Sequence, residues 1–241
     1  MQNGTLNADG LRPPVDYVNE SRFGNWFLGT ETWVQHVLRR ALDDLQRMME
    51  PGRTYPDVLD VGCGRGKALR LLDERFQPRR IVGLDPVAGV RAHLERAAAQ
   101  CRSAVVFQAA NAADTKLPEA SFDLVFCHQT FHHIVDQERA IGEFHRVLRP
   151  GGVLLFAEST RHYIHSWIIR LLFRHPMNVQ KTADEYIAMI RRVGFLLTSE
   201  RISYPYLWWS RPDLGIFEKF GFPPSPGHNE TLVNAVALRA G

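Results

Sequence analysis

Five short apolar runs, at 57–61, 80–84, 104–108, 122–127 and 152–158, alternate with amphipathic stretches at about 66–76, 87–101 and 136–148. Runs of that length bounded by turn residues read as buried strands, and stretches with apolar residues at helical spacing read as helices. Repeated strand–helix units predict a doubly wound α/β fold, a mostly parallel sheet with helices on both faces. Upstream, Val34, Val37, Leu38, Ala41, Leu42, Leu45, Met48 and Met49 predict one more amphipathic helix. Thr32 and Gln35 suit a capping box at its start, and Pro51-Gly52 suit its stop. After Glu158 the alternation breaks. A basic, aromatic stretch fills 160–181. A helix capped by Thr182 and Glu185 then runs to Gly194, and strands are expected near 196–205 and 231–238. The last two are joined by a long linker carrying Tyr206, Trp208, Trp209 and Pro223-Pro224-Ser225-Pro226-Gly227. A connection of that length is a functional candidate. Residues 1–14 are expected to be a loose tail, with aromatic residues Tyr17, Phe23, Trp26, Phe27 and Trp33 after it.

The first core strand carries the strongest chemical signal. Val58-Leu59-Asp60-Val61 ends in Gly62-Cys63-Gly64-Arg65-Gly66, and a helical pattern follows. A buried strand, a bare-backbone turn and a helix start form a nucleotide-cradling unit. Glycine lets backbone N–H groups approach a ligand closely. The spacing is G-x-G-x-G, not the dinucleotide fingerprint G-x-G-x-x-G. Asp60, two residues before the first glycine, repels a diphosphate but can receive an α-ammonium group, directly or through water. The second strand ends in Asp85-Pro86, where a carboxylate suits the two hydroxyls of a ribose. One acid for an amino acid and one for a ribose describe S-adenosylmethionine.

On these residues the chain resembles the class I SAM-dependent methyltransferases, whose first motif often reads V-L-D-x-G-C-G-x-G. The resemblance implies a seven-stranded Rossmann-like sheet ending in an antiparallel hairpin. It implies a SAM site at Asp60, Gly62, Cys63, Gly64, Asp85 and Pro86, extended by residues after strands three and four. After strand three, Ala110-Asn111-Ala112 aligns with a motif that normally holds an acid facing the adenine amino group. Here Asn111 replaces that acid, with Asp114 as the competing residue if the loop shifts. After strand four, His128-Gln129-Thr130-Phe131-His132-His133 replaces the Asn/Asp-Pro-Pro-aromatic tetrad of enzymes that methylate base amino groups, which argues against that chemistry. His128 is placed against the cofactor. His132 and His133 either pack and cap a helix start, or one of them is the base that strips a hydroxyl proton. The Leu148-Arg149-Pro150-Gly151-Gly152 segment is a structural stop. Glu158 is either a site residue or a solvated strand end. Residues 160–175 read as a lid over an apolar acceptor, with a membrane-surface helix as the other reading. Trp26, Tyr163 and Trp209 are candidate acceptor contacts beside Glu158.

Composition sets the outer bounds. The 241 residues suit one domain, divided as a helical extension at 1–52, a SAM-binding core at 53–158 and a substrate-side part at 159–241. A formal net charge of +3 is too mild to imply nucleic acid. Three cysteines without paired spacing argue against a disulfide framework or a zinc site, no metal ligand set is read, and a reducing cytoplasm is expected. No apolar run reaches the roughly 18 residues of a membrane span. The expected activity is methylation of a small apolar or aromatic acceptor at oxygen or carbon, by a monomer or homodimer. A non-catalytic SAM-binding protein, an RNA methyltransferase and a nicotinamide-dependent oxidoreductase are the rival readings.

Overall fold

The structure, a computed structural model, describes residues 21–205, 207–210, 216, 220–222 and 229–241. The expected tail at 1–14, Tyr17, Tyr206, the Trp208 side chain and the 223–227 segment lie outside the described residues. Eight strands form one sheet: β1 (Asp57–Val61), β2 (Arg80–Asp85), β3 (Ala104–Ala109), β4 (Phe122–His128), β5 (Leu148–Ser159), β6 (Phe195–Leu196), β7 (Ile202–Ser203) and β8 (Leu232–Arg239). The spatial order is β3-β2-β1-β4-β5-β8-β6, with β7 also paired to β8. β1 to β5 pair in parallel, and β8 runs antiparallel to β5. Strand order therefore reverses between β1 and β4. The carboxyl ends of those strands form the crevice where ligands bind in such sheets.

The pleat sends successive residues to opposite faces and so builds two cores. Leu59 and Val61 join Phe144, Tyr186 and Ile190 on one face. Val58 joins Leu42, Leu72 and Leu94 on the other. The first face is covered by α6 (Gln137–Val147) and α9 (Ala183–Arg192). The second is covered by α3 (Arg39–Arg47), α4 (Leu69–Phe76) and α5 (Arg91–Ala98). The Thr182–Glu185 capping box that starts α9 is present as expected.

Three local expectations are corrected. The helix over the second face starts earlier than its apolar stripe suggests: Thr30, not Thr32, is the N-cap, and its hydroxyl accepts from the Trp33 amide. Gln35 instead donates to Glu31. The helix then passes through a π-helical stretch, Val34–Leu38, before α3. The strand expected at 196–205 is two two-residue pieces, because a 3₁₀ turn at Ser199–Arg201 interrupts it. The Pro150-Gly151-Gly152 segment does not end α6. β5 begins at Leu148, and these residues take up a shift in its register against β4.

Residues 161–172 form two short helices, α7 (Arg161–Ile164) and α8 (Trp167–Leu172), above the carboxyl ends of the strands. They meet α1 (Arg22–Phe27) there. The Ser21 hydroxyl donates to Leu172 O at 2.6 Å, and Phe23 and Phe27 both meet Phe173 edge to face.

Candidate functional site

The glycine turn after β1 is pinned to the end of β2. Gly62 and Cys63 N–H donate to Leu84 O, and Gly64 N–H donates to Asp85 Oδ2 at 3.0 Å. Asp85 Oδ1 also accepts from Val87 N–H. Gly62, Gly64 and Gly66 all have positive φ, so the turn needs residues that adopt the left-handed region cheaply. A Cβ at Gly62 would overlap the Thr130 side chain. The space beside this turn is a cavity of about 550 Å³. Gly62, Cys63, Gly64, Asp85, Pro86, Asn111, Ala112 and His128 all line it.

Asp60 does not line that cavity. It is buried behind the turn, and Oδ2 has no hydrogen-bond partner among the described residues. Burial, then the neighbouring Asp85, pushes its pKa up to about 8. An orphaned buried carboxyl beside a bare turn fits a cationic group held at the turn. Asn111, rather than Asp114, reaches the cavity. Its side-chain oxygen accepts from Ala113 N–H at 2.8 Å and closes the loop on itself. Asp114 turns away to Lys116. His128 stacks on Phe126 and tilts against Trp33, and burial lowers its pKa to about 4, so the ring is neutral.

A second cavity, of about 360 Å³, lies under α7 and α8. Phe27, Ile168, Ile169, Leu172 and Phe173 make it apolar, and Tyr163 and Trp209 stand in its wall with their rings 5.9 Å apart. Trp26 is not part of it. That side chain is 63% exposed and packs on Phe23 from outside, which corrects its expected role. The two cavities share Leu28, Trp33, Gln129 and His133.

Glu158 is neither a lining residue nor a solvated strand end. It is fully buried and organises the loop after β4. Oε1 accepts from the Thr130 and Phe131 amides, both at 2.8 Å, and Oε2 lies 2.7 Å from His132 Nδ1. Gln129, just before these amides, has a φ of 49°, a strained value for a non-glycine residue and one that clusters at functional sites. His132 and His133 sit on a 3₁₀ turn, Phe131–His133. His132 lines only the apolar cavity, whereas His133 lines both. His175 completes the wall next to them. Sequence reasoning missed His175 and Gln180. Their proximity to the site is tertiary, and the one available signal was the density of histidines in the segment after β5.

Residues 59–156 match the family model described as "Methyltransferase domain". Together with the turn, the two acids and the strand order, this marks residues 59–156 as a methyltransferase domain. The chain is similar to the class I SAM-dependent methyltransferases. A probable S-adenosylmethionine-dependent methyltransferase of Mycolicibacterium smegmatis is 39% identical over 44% of this chain and 38% of its own length. The 27-O-demethylrifamycin SV methyltransferase of Amycolatopsis mediterranei is 32% identical over 52% of this chain and 46% of its own length. The chain thus matches less than half of each of these relatives. Among solved structures, the plantazolicin methyltransferase BamL, in complex with a desmethyl substrate analogue and S-adenosylhomocysteine, superposes with a TM-score of 0.65. That match covers 91% of this chain and 90% of the neighbour at 14% identity, a likeness of fold. The family's cofactor is S-adenosylmethionine, and the 550 Å³ cavity, with its bare turn, Asp85 in its wall and the orphaned Asp60 behind the turn, fits it. No helix among the described residues is long and apolar enough to cross a membrane.

Proposed function

We propose that the protein transfers a methyl group from S-adenosylmethionine to a small apolar or aromatic acceptor, at oxygen or carbon. One observation carries this reading: a cofactor-sized cavity beside the glycine turn and an apolar cavity abut at Gln129 and His133. Asp85 would take the ribose hydroxyls, the Gly62–Gly64 backbone would pass beside the methionine part, and Asp60 would answer its ammonium group from behind the turn. Asn111 and Ala112 would border the adenine.

When bound, the cofactor supplies a methyl group already activated on a sulfonium. What remains for the chain is alignment and exclusion of water. The apolar wall from Phe27 to Phe173 desolvates the acceptor. For a hydroxyl acceptor, a ring nitrogen of His132 or His133 would take the proton that the hydroxyl gives up on methylation. The Glu158 contact orients His132 for this task, while His133 stands at the junction. A positioned base of this kind contributes about 10²–10⁴-fold. Relatives named for methylating a demethylrifamycin, demethylmenaquinone and tocopherol support a small-molecule acceptor. In the same reading, the described residues of the 1–52 and 159–241 parts supply the acceptor side of the 53–158 core. The protein works in the cytoplasm, in keeping with its three free cysteines, as a monomer or homodimer.

The test is calorimetry with S-adenosylhomocysteine, followed by labelled-methyl transfer to a panel of hydroxylated apolar aromatics. Saturable heat and label on at least one acceptor are expected. Absence of heat with folded protein refutes the cofactor site. Heat without transfer to any acceptor refutes the enzymatic reading.

A further inference from the structure

His132, His133 and His175 each offer one ring nitrogen, and the three atoms lie within 4.8 Å of one another. Their ring centroids are 4.4, 4.8 and 5.1 Å apart. Two of the rings follow β4, and the third comes from the segment after α8. Three polar rings converging in the wall of an apolar cavity call for an explanation.

The surroundings are built to hold them. Glu158, fully buried, lies 2.7 Å from His132 Nδ1, and its other oxygen is committed to two backbone amides. That contact fixes Nδ1 as the hydrogen-bonding atom and leaves Nε2 with a lone pair, as carboxylates do for metal-ligating histidines. Gln180 is buried too, and its amide group donates both to His132 O at 2.8 Å and to Pro176 O at 2.9 Å. One side chain thus clamps together the two segments that carry the histidines.

We propose that His132, His133 and His175 form a three-histidine site for a divalent zinc-class ion, with Glu158 and Gln180 as its supporting residues. Imidazole nitrogens suit such ions. Metal–nitrogen bonds of about 2.0–2.1 Å place tetrahedral ligand atoms roughly 3.3 Å apart. The observed spacing closes to that value by ring rotation and a small movement of the His175 segment. Three protein ligands leave a fourth position open, the pattern of catalytic rather than closed structural sites. That position borders the apolar cavity, so an acceptor with an oxygen or nitrogen donor could be oriented there. This last step rests on the methyltransferase reading, whereas the ion site does not, and a bound ion would take the His132 and His133 nitrogens out of the base role proposed above.

The test uses the full chain without a histidine tag, stripped with a chelator and titrated with Co²⁺, then with Zn²⁺ in competition. One equivalent of Co²⁺ is expected to bind and to give the visible absorption of a four-coordinate nitrogen-ligated ion, which Zn²⁺ abolishes. His175→Ala should weaken binding at least about tenfold, and Glu158→Gln about 10–100-fold. No saturable binding to the wild type overturns the proposal, whatever the variants do. So does unchanged affinity in His175→Ala. His175 lies outside the cofactor cavity, so S-adenosylhomocysteine binding checks that this variant is folded. If it is not, His175→Asn serves in its place. S-adenosylhomocysteine binding without metal binding removes the ion site alone. Metal binding without S-adenosylhomocysteine binding keeps the site and removes the methyltransferase reading.

Discussion

Replacing Glu158 is expected to separate its structural role from its orienting one. Its carboxylate serves the Thr130 amide, the Phe131 amide and His132 Nδ1, each within 2.8 Å. In Glu158→Ala all three lose their acceptor. Phe131 and His132 are buried, and Thr130 is half-buried and can recruit water. A buried donor left unsatisfied costs about 1–3 kcal/mol, so the two buried donors lose about 2–6 kcal/mol. For a chain of this size each kcal/mol moves Tm by about 2–4 °C, so Tm should fall by roughly 4–24 °C. Glu158→Gln behaves differently. Its remaining oxygen still accepts from both amides, but its NH₂ group now faces His132 and forces the opposite tautomer. Tm should then fall by only about 2–8 °C, while methyl transfer to a hydroxyl acceptor falls much further at unchanged S-adenosylhomocysteine affinity. Scanning calorimetry and single-turnover transfer read the two effects. A Glu158→Ala protein within 2 °C of wild type, or a Glu158→Gln protein with full turnover, would refute the reasoning.

Three further outcomes are expected. Asp60 has a folded pKa of about 8, raised by burial and then by Asp85, against about 3.9 when unfolded. Its contribution to stability is therefore present below about pH 4 and is lost as pH rises towards 8, so Asp60→Asn should flatten the fall in Tm over that interval; equal slopes count against the assignment. Gly62→Ala puts a Cβ on a residue with φ of 71° and into the Thr130 side chain. Left-handed strain alone costs about 1–2 kcal/mol, and cofactor affinity should drop more than about tenfold by calorimetry. An intact dissociation constant would show that the turn does not border the ligand. Asp85→Ala removes both the ribose acceptor and the brace on Gly64 and Val87, so S-adenosylhomocysteine binding should weaken more than in Asp85→Asn, which keeps one oxygen. Equal losses would deny the bracing role.

The residues that line the 550 Å³ cavity were legible because their signals are local. A strand, a glycine turn and an acid at the next strand tip are each encoded within a few residues, and the sheet brings strand tips together by rule. Asn111 was likewise decided by its own loop. The acceptor half was not legible, because its geometry depends on residues far apart in sequence. Glu158 reads as a strand-end acid until β4 and β5 pair and turn it towards the Thr130 and Phe131 amides. His175 reads as one histidine in a basic segment until Gln180 clamps that segment to His132. Trp26 looked like a cavity wall because it lies among aromatics, yet the one-turn helix α1 presents Phe23 and Phe27 inward and leaves Trp26 in solvent. The cap at Thr30 was missed for a simpler reason: the apolar stripe begins one turn after the backbone becomes helical.

The junction of α1 with the α8 end has a kinetic meaning. Phe173 edge-on against the stacked Phe23 and Phe27, and one hydroxyl on a carbonyl, join parts of the chain 151 residues apart. Aromatic edges part without leaving charges stranded. Under the proposed methyltransferase reading, a bulky methylated product leaving past this seam would have to part it, and for large acceptors departure rather than bond-making would then set the pace. Turnover of such acceptors should slow as solvent viscosity rises, whereas that of small ones should not.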